Sequence, residues 1–202
     1  LHSKLSRRAR LRALALAVPA AALTVVLGSS GLAGAAETTI APTGKTDVIT
    51  MSLSKGKLTF VAPESVTVGD QLQVINKTNP KQVGPHTFSL VTKGSLPKTR
   101  KAQKSCFSPK KICLAIAKWH GFNPKTEKIT TPLVKVGPAG WSTMGDATGK
   151  KGDSWFTGEK KAGTSVTQQV TAEAGTTLYF ICAVHPEMQG QVKVEAPVVP
   201  VA

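Results

Sequence analysis

Acid is scarce in this chain. Its 202 residues hold 11 Asp and Glu against 26 Lys and Arg, a formal net charge of +15. Aromatics number only ten, too few for the stacking platforms of single-strand nucleic-acid binders. Three cysteines exclude a disulfide-dense miniprotein, and 18 glycines without a triplet period exclude collagen. No apolar run reaches the length of about 18 residues of a membrane-spanning helix, so no transmembrane anchor is expected in the mature form. A Ser-His-Asp arrangement, a helical carboxylate pair and a phosphate-binding glycine loop are all missing, which disfavours an enzyme. What is present is a chain 41% hydrophobic, too apolar for a disordered basic tail and long enough for one core.

Residues 1–36 read as an address. Lys4, Arg7, Arg8, Arg10 and Arg12 form a positive start, Leu14 to Leu27 is apolar, and small residues follow in GSSGLAGAAE. This is the plan of a secretory signal peptide, with a small-x-small cleavage site at residues 33–36. Arg7-Arg8 hints at twin-arginine export, with the Sec route left open. Removing five basic and no acidic residues lowers the net charge to +10. An exported protein, whether periplasmic, extracellular or associated with the cell surface, seldom meets nucleic acid. Its basic charge therefore reads as a docking or surface-affinity feature.

The mature chain, 37–196, has a β pattern. DVITMSL, KLTFVA, SVTVGDQLQVIN, HTFSLVT, TSVTQQVT, TTLYFICAV and QVKVE are short runs rich in Val, Thr and Ile, several alternating with period two and separated by Gly, Asn-Pro and Asp turn signals. The expected fold is all-β, an antiparallel Greek-key sandwich. Residues 93–163, rich in Lys, Gly and Pro and holding all three Trp, read as a long loop-rich insertion in which PKKICLAIAKWHGF has room for one or two helical turns. The tail 197–202 is expected to fray.

The segment YFICAVHPEMQGQVKV carries the chemistry. Cys182, His185 and Met188 lie three apart on a loop between two expected strands. A thiolate, an imidazole and a thioether form a soft donor set. With one further imidazole they build the trigonal His₂Cys site, with a weak axial Met, that holds electron-transfer copper. His86, opening the strand HTFSLVT, is the candidate for that role. Cys182 must serve as thiolate and the histidines as neutral donors. Gln189 is a rival axial ligand to Met188. Zinc is the rival metal, ranked lower because structural zinc sites do not use Met.

On these residues the chain resembles the cupredoxins, small blue copper proteins of plastocyanin- and amicyanin-like type. The likeness rests on Cys182-x-x-His185-Pro186-x-Met188 and on PESVTVGDQLQVIN ahead of His86, and it covers about 47–91 and 164–195. It implies a Greek-key sandwich, one type 1 copper, and one-electron transfer between redox partners without substrate turnover. It also implies that the backbone N–H of Thr87 supports the Cys182 sulfur. The 95 residues between His86 and Cys182 exceed the gap in the small carriers.

Cys106 and Cys113 remain as an even pair in an oxidising compartment, so a disulfide closing CFSPKKIC is expected. Its rival is a second metal site of Cys106, Cys113 and His120, spaced seven apart. Trp119, Trp141 and Trp155 read as the insertion's own small core, or else as a partner-facing platform. The basic run at 98–118 reads as a solvated face, or as a docking patch for a redox partner with an acidic face. Tyr179 and Phe180 are expected in the core. Two other functions stay open: a copper-storage or copper-delivery protein using the same site, and an interaction module on a cupredoxin scaffold.

Overall fold

Alternation of apolar and polar side chains shapes the first strand. In β1 (Thr46–Ser54) Asp47, Ile49 and Met51 are buried while Thr46 and Val48 are exposed, the period of two that a strand with one covered face requires. The computed structural model describes residues 43–129, 132–158 and 163–198. The expected signal segment 1–36 lies outside these residues, as does most of the expected tail at 197–202.

From β1 the chain turns into β2 (Lys57–Val61), crosses to β3 (Ser65–Thr67) and returns in β4 (Gln71–Asn76). The short helix α1 (Pro80–Val83) leads into β5 (Thr87–Val91). After it come α2 (Arg100–Lys104), α3 (Ile112–Trp119), β6 (Phe122–Asn123), β7 (Lys128–Ile129), β8 (Lys135–Val136) and β9 (Ser154–Phe156). The chain closes with β10 (Ser165–Gln169), β11 (Thr177–Ile181) and β12 (Gln189–Glu195). One sheet has the order β10-β4-β1-β2 and the other β3-β12-β11-β5-β9-β8.

The inner faces of both sheets meet in one core: Ile49 and Met51 of β1, Leu72 and Val74 of β4, Phe88 and Leu90 of β5, Phe180 of β11 and Val192 of β12. Phe88 makes edge contacts to Phe60 and Trp141, with ring centroids 5.8 and 5.1 Å away. Truncating one such side chain to alanine costs about 2–5 kcal/mol. The all-β sandwich expected from the sequence is therefore present, but its pairing is mixed. β1 runs parallel to β4, and β3 parallel to β12. Because β3 sits in the opposite sheet, the chain leaves and re-enters. Such a crossover lets two strands of one sheet run the same way.

The insertion is more regular than expected. α3 buries Ile112, Cys113, Ile116 and Trp119 along one stripe. These pack with Cys106, Val91 and Ile181 into a second core on the outer face of the second sheet. All five residues of β5 are buried: Phe88 and Leu90 lie in the sandwich core, Val91 in the second core, and Thr87 and Ser89 in buried hydrogen bonds. β9 falls inside the span read as insertion, yet it pairs antiparallel with β5. Its three residues are all buried, so no alternation marks it in sequence. Of the three tryptophans only Trp119 belongs to the insertion's core; Trp141 and Trp155 are part of the sandwich core. Gly145 is where the return path touches Trp119, and an added Cβ there would collide with that ring.

Candidate metal centre

His86 is held at the end of β5 by the residues that precede it. The Asn79 side chain caps α1 by accepting from the Lys81 N–H, and Gly84, at φ 75°, ends the turn with its own N–H on the Pro80 carbonyl. That backbone conformation suits glycine. The His86 N–H donates to Thr157 Oγ1 at 2.9 Å, and the Thr157 N–H returns a bond to the His86 carbonyl at 2.9 Å. Thr78 Oγ1 lies 2.9 Å from His86 Nε2 and donates its own proton to Asn76 Oδ1 at 2.7 Å. The ring must then donate from Nε2, which leaves the Nδ1 lone pair free.

That lone pair faces Cys182. The sulfur lies 3.7 Å from His86 Nδ1 and 3.7 Å from His185 Nδ1, and the two imidazole rings are 4.7 Å apart. The Thr87 N–H points at the same sulfur from 3.4 Å. An ion bound at about 2.3 Å to sulfur and about 2.05 Å to nitrogen spans about 3.6–3.8 Å between those donors at tetrahedral to trigonal angles. The observed separations fall within that span. Both sulfur–nitrogen pairs thus fit a first-row metal as they stand.

The loop from Cys182 to Met188 joins β11 to β12 and is closed by its own backbone. The Cys182 N–H donates to the Met188 carbonyl at 3.0 Å, and the Met188 N–H to the His185 carbonyl at 2.8 Å. Cys182, His86 and Met188 are fully buried, whereas His185 is partly exposed beside the exposed Val184. Met188 sits in the sandwich core together with Cys182. Its rival Gln189 turns away: its Nε2 donates to the carbonyls of Pro97 and Pro186, at 2.9 and 2.6 Å.

Burial tunes the donors. It pushes the Cys182 thiol up to about 11 and, with the His185 charge as a lesser cause, holds His86 down to about 4. Burial also lowers His185, against the opposing pull of Glu187 and the Val83 carbonyl. Both imidazoles therefore stay neutral near pH 7, as ligands must be, and a metal taking the sulfur displaces its proton. A set of one thiol and two neutral imidazoles, with a thioether from the same loop, is the one that suits copper in both oxidation states.

The structure brings together His86, Cys182 and His185, places Thr87 with its N–H on the sulfur, and buries Met188 at the loop's end. Cys106 and Cys113 form a disulfide, with Cα atoms 5.1 Å apart. This overturns a metal site of Cys106, Cys113 and His120, because the paired sulfurs offer no thiolate. The His120 ring instead meets the Leu133 carbonyl at Nδ1 and Ser154 Oγ at Nε2. Sequence reasoning missed Thr78, Asn76 and Thr157, which orient His86. The first two stand close to it in NKTNPKQVGPH, but nothing in that string marks Thr78 as facing the ring. Thr157 is 71 positions away.

No protein-family model matches the chain, and no curated protein matches it. Among solved structures the chain is similar to auracyanin B, at 17% identity and a TM-score of 0.39, covering 76% of this chain and 89% of that one. It is also similar to amicyanin in a methionine-to-alanine variant in the Cu(I) form, at 18% identity and a TM-score of 0.30, covering 78% and 95%. A third similar structure, at 16% identity and a TM-score of 0.36 and covering 75% and 100%, is auracyanin A of Chloroflexus aurantiacus, a "blue" copper protein.

Proposed function

We propose that this chain is an exported one-electron carrier whose copper is held by His86, Cys182, His185 and Met188. The observation that carries the reading is the convergence of one buried thiol and two neutral imidazoles at 3.7 Å separations, with a backbone N–H already aimed at the sulfur. When bound, copper supplies the Cu(II)/Cu(I) couple. Everything else is the work of the chain. Thr78 and Thr157 hold His86 in one orientation and one tautomer. The Thr87 N–H accommodates negative charge on the sulfur, and the short loop closed at Met188 keeps the donors from separating. Burial of Cys182, His86 and Met188 excludes water. A site held this rigidly changes little when its charge changes, which favours electron transfer over release of the ion. Met188 weighs against zinc, for which thioethers are not ordinary ligands.

His185 is the partly exposed member of the set and offers the short path for an electron to the surface. The surroundings favour an acidic partner. Between residues 71 and 126 the chain has eleven Lys and Arg and no Asp or Glu. Arg100, Gln103 and Lys104 of the insertion line a cleft of about 420 Å³ with Pro186 and Glu187 of the ligand loop. Among the described residues, Lys45–Asp47 is the ion pair found, so the basic charges of α2 are free to meet a partner's carboxylates. Facing patches of opposite sign steer encounters and orient them.

The test is the visible and EPR spectrum of the chain lacking residues 1–36, titrated with Cu(II). An intense thiolate-to-copper band with narrow hyperfine splitting, abolished in Cys182→Ala, is the expected result. A pale protein with ordinary Cu(II) signals sinks the reading. Copper that exchanges readily with a chelator while the band is present would transfer support to copper delivery.

A further inference from the structure

A buried chain of hydrogen bonds links the insertion to the ligand loop. His120 follows α3 and is 1% exposed. Its Nε2 lies 2.7 Å from Ser154 Oγ. Ser154 and Ser89 stand directly opposite each other on β9 and β5, with their hydroxyls 2.6 Å apart. The Ser89 hydroxyl donates to Thr87 Oγ1 at 3.1 Å, and that oxygen also accepts the Ala183 N–H at 2.8 Å. Ala183 follows Cys182, and the Thr87 N–H is the donor on the Cys182 sulfur. Ser89, Ser154 and Thr87 are all buried, so water cannot readily replace a missing member.

Proton supply makes the identity of residue 120 matter. The Leu133 carbonyl at Nδ1 only accepts, and Ser89 gives its proton to Thr87. From the Leu133 carbonyl through the ring and the two serines to Thr87 there are four contacts, while a neutral ring and two serine hydroxyls bring three protons. The nitrogen that holds the ring proton therefore decides which way the Ser154 hydroxyl points, toward Ser89 when Nε2 holds it and toward Nε2 when Nδ1 does. Ser154 in turn meets Ser89, the donor on the Thr87 oxygen that anchors the backbone beside Cys182.

We propose that His120 is a positioning residue for the metal loop, acting through Ser154, Ser89 and Thr87 on the backbone at Ala183 and the donor at the Cys182 sulfur. The effect on copper rests on the reading of the site as a copper centre; the effect on the loop does not. The insertion would then do more than decorate the sandwich, because one of its residues would set how firmly the ligand loop is held.

Two conservative replacements separate this role from a local one. Glutamine places an amide where His Nε2 stands and keeps the contact to Ser154, while asparagine keeps only the contact to Leu133. The first readout is hydrogen exchange of the Ala183 amide in the metal-free full chain. Ser89→Ala, Ser154→Ala and His120→Asn should each speed it about tenfold, whereas His120→Gln should stay near the parent rate. The second readout is the reduction potential of the copper-loaded chain. The three disrupting variants should move it in one common direction, and a tenfold change in relative affinity for the two oxidation states corresponds to about 59 mV. Equal effects of His120→Asn and His120→Gln would overturn the proposal, leaving His120 as a tether of the Leu133 segment. So would an unchanged Ala183 rate in Ser89→Ala. A parent chain without a thiolate–copper band would remove only the copper reading, because the exchange comparison decides the relay in the metal-free protein.

Discussion

Two cysteine–histidine sets lie in this chain, and they behave in opposite ways. In the ligand loop, Cys182 and His185 are three apart, and the sulfur faces two imidazole nitrogens with free lone pairs. In the insertion, Cys106, Cys113 and His120 are evenly spaced at seven, but the sulfurs face each other and the ring is occupied by a carbonyl and a hydroxyl. Both histidines are held below their ordinary range by burial. The difference lies in what each nitrogen meets. Availability of donors makes a metal centre, and spacing alone only nominates one.

The largest effect that would sharpen this contrast is at Cys182. Cys182→Ser should remove the thiolate-to-copper band entirely, whereas Cys106→Ala/Cys113→Ala should leave it intact. The double variant instead costs stability: cross-linking so short a loop contributes about 2.5 kcal/mol, to be read from denaturant unfolding under non-reducing conditions. Next in size is Thr78. Thr78→Val deprives His86 Nε2 of its acceptor and should weaken copper binding about 10–100-fold by chelator competition, with Thr78→Ser restoring most of it. A full-strength Thr78→Val site would break the idea that the neighbours of His86 hold it in a binding tautomer.

Smaller effects are expected from charge. Arg100→Glu/Lys104→Glu should slow electron transfer to an acidic partner several-fold at low ionic strength, and the difference should shrink as salt rises. The least is a pH effect on folding. His120 is buried, and burial lowers its pKa from the ordinary value of about 6.5. A depressed folded pKa means that the unfolded chain takes up the proton first. The His120 contribution is therefore fully present above about 6.5 and falls as pH drops toward the folded value, with a slope no steeper than about 1.4 kcal/mol per pH unit, to which the buried His86 and His185 add their own. His120→Gln should flatten that part of the profile in thermal or urea unfolding. An unchanged profile would mean that some other group titrates there.

Legibility followed physical signal strength. β1 and β4 alternate cleanly because one face of each is covered by the core. β9 was hidden, since its three residues are buried whichever way they point. The parallel pairings were equally hidden, because strand direction depends on where the chain crosses between sheets. Trp141 was misplaced because its position within the span read as insertion says nothing of where its ring goes. It packs on Phe88 and donates to the Leu72 carbonyl at 3.1 Å. Ser89 shares a strand face with Thr87, a hint available from period two, but its partners Ser154 and His120 become visible only when β9 lies beside β5.

By itself the sequence determined the types of the candidate donors, their order, the short loop that carries three of them, and the even cysteine pair left over. The loop and the cysteine pair are local properties, written in residues at most seven apart. Tertiary structure decided which nitrogens are free. Thr87 meets the Cys182 sulfur across 95 positions, and His120 meets Ser154 across 34. Hydrogen-bond direction is set by whatever group lies opposite in space, and only the folded chain brings those groups together.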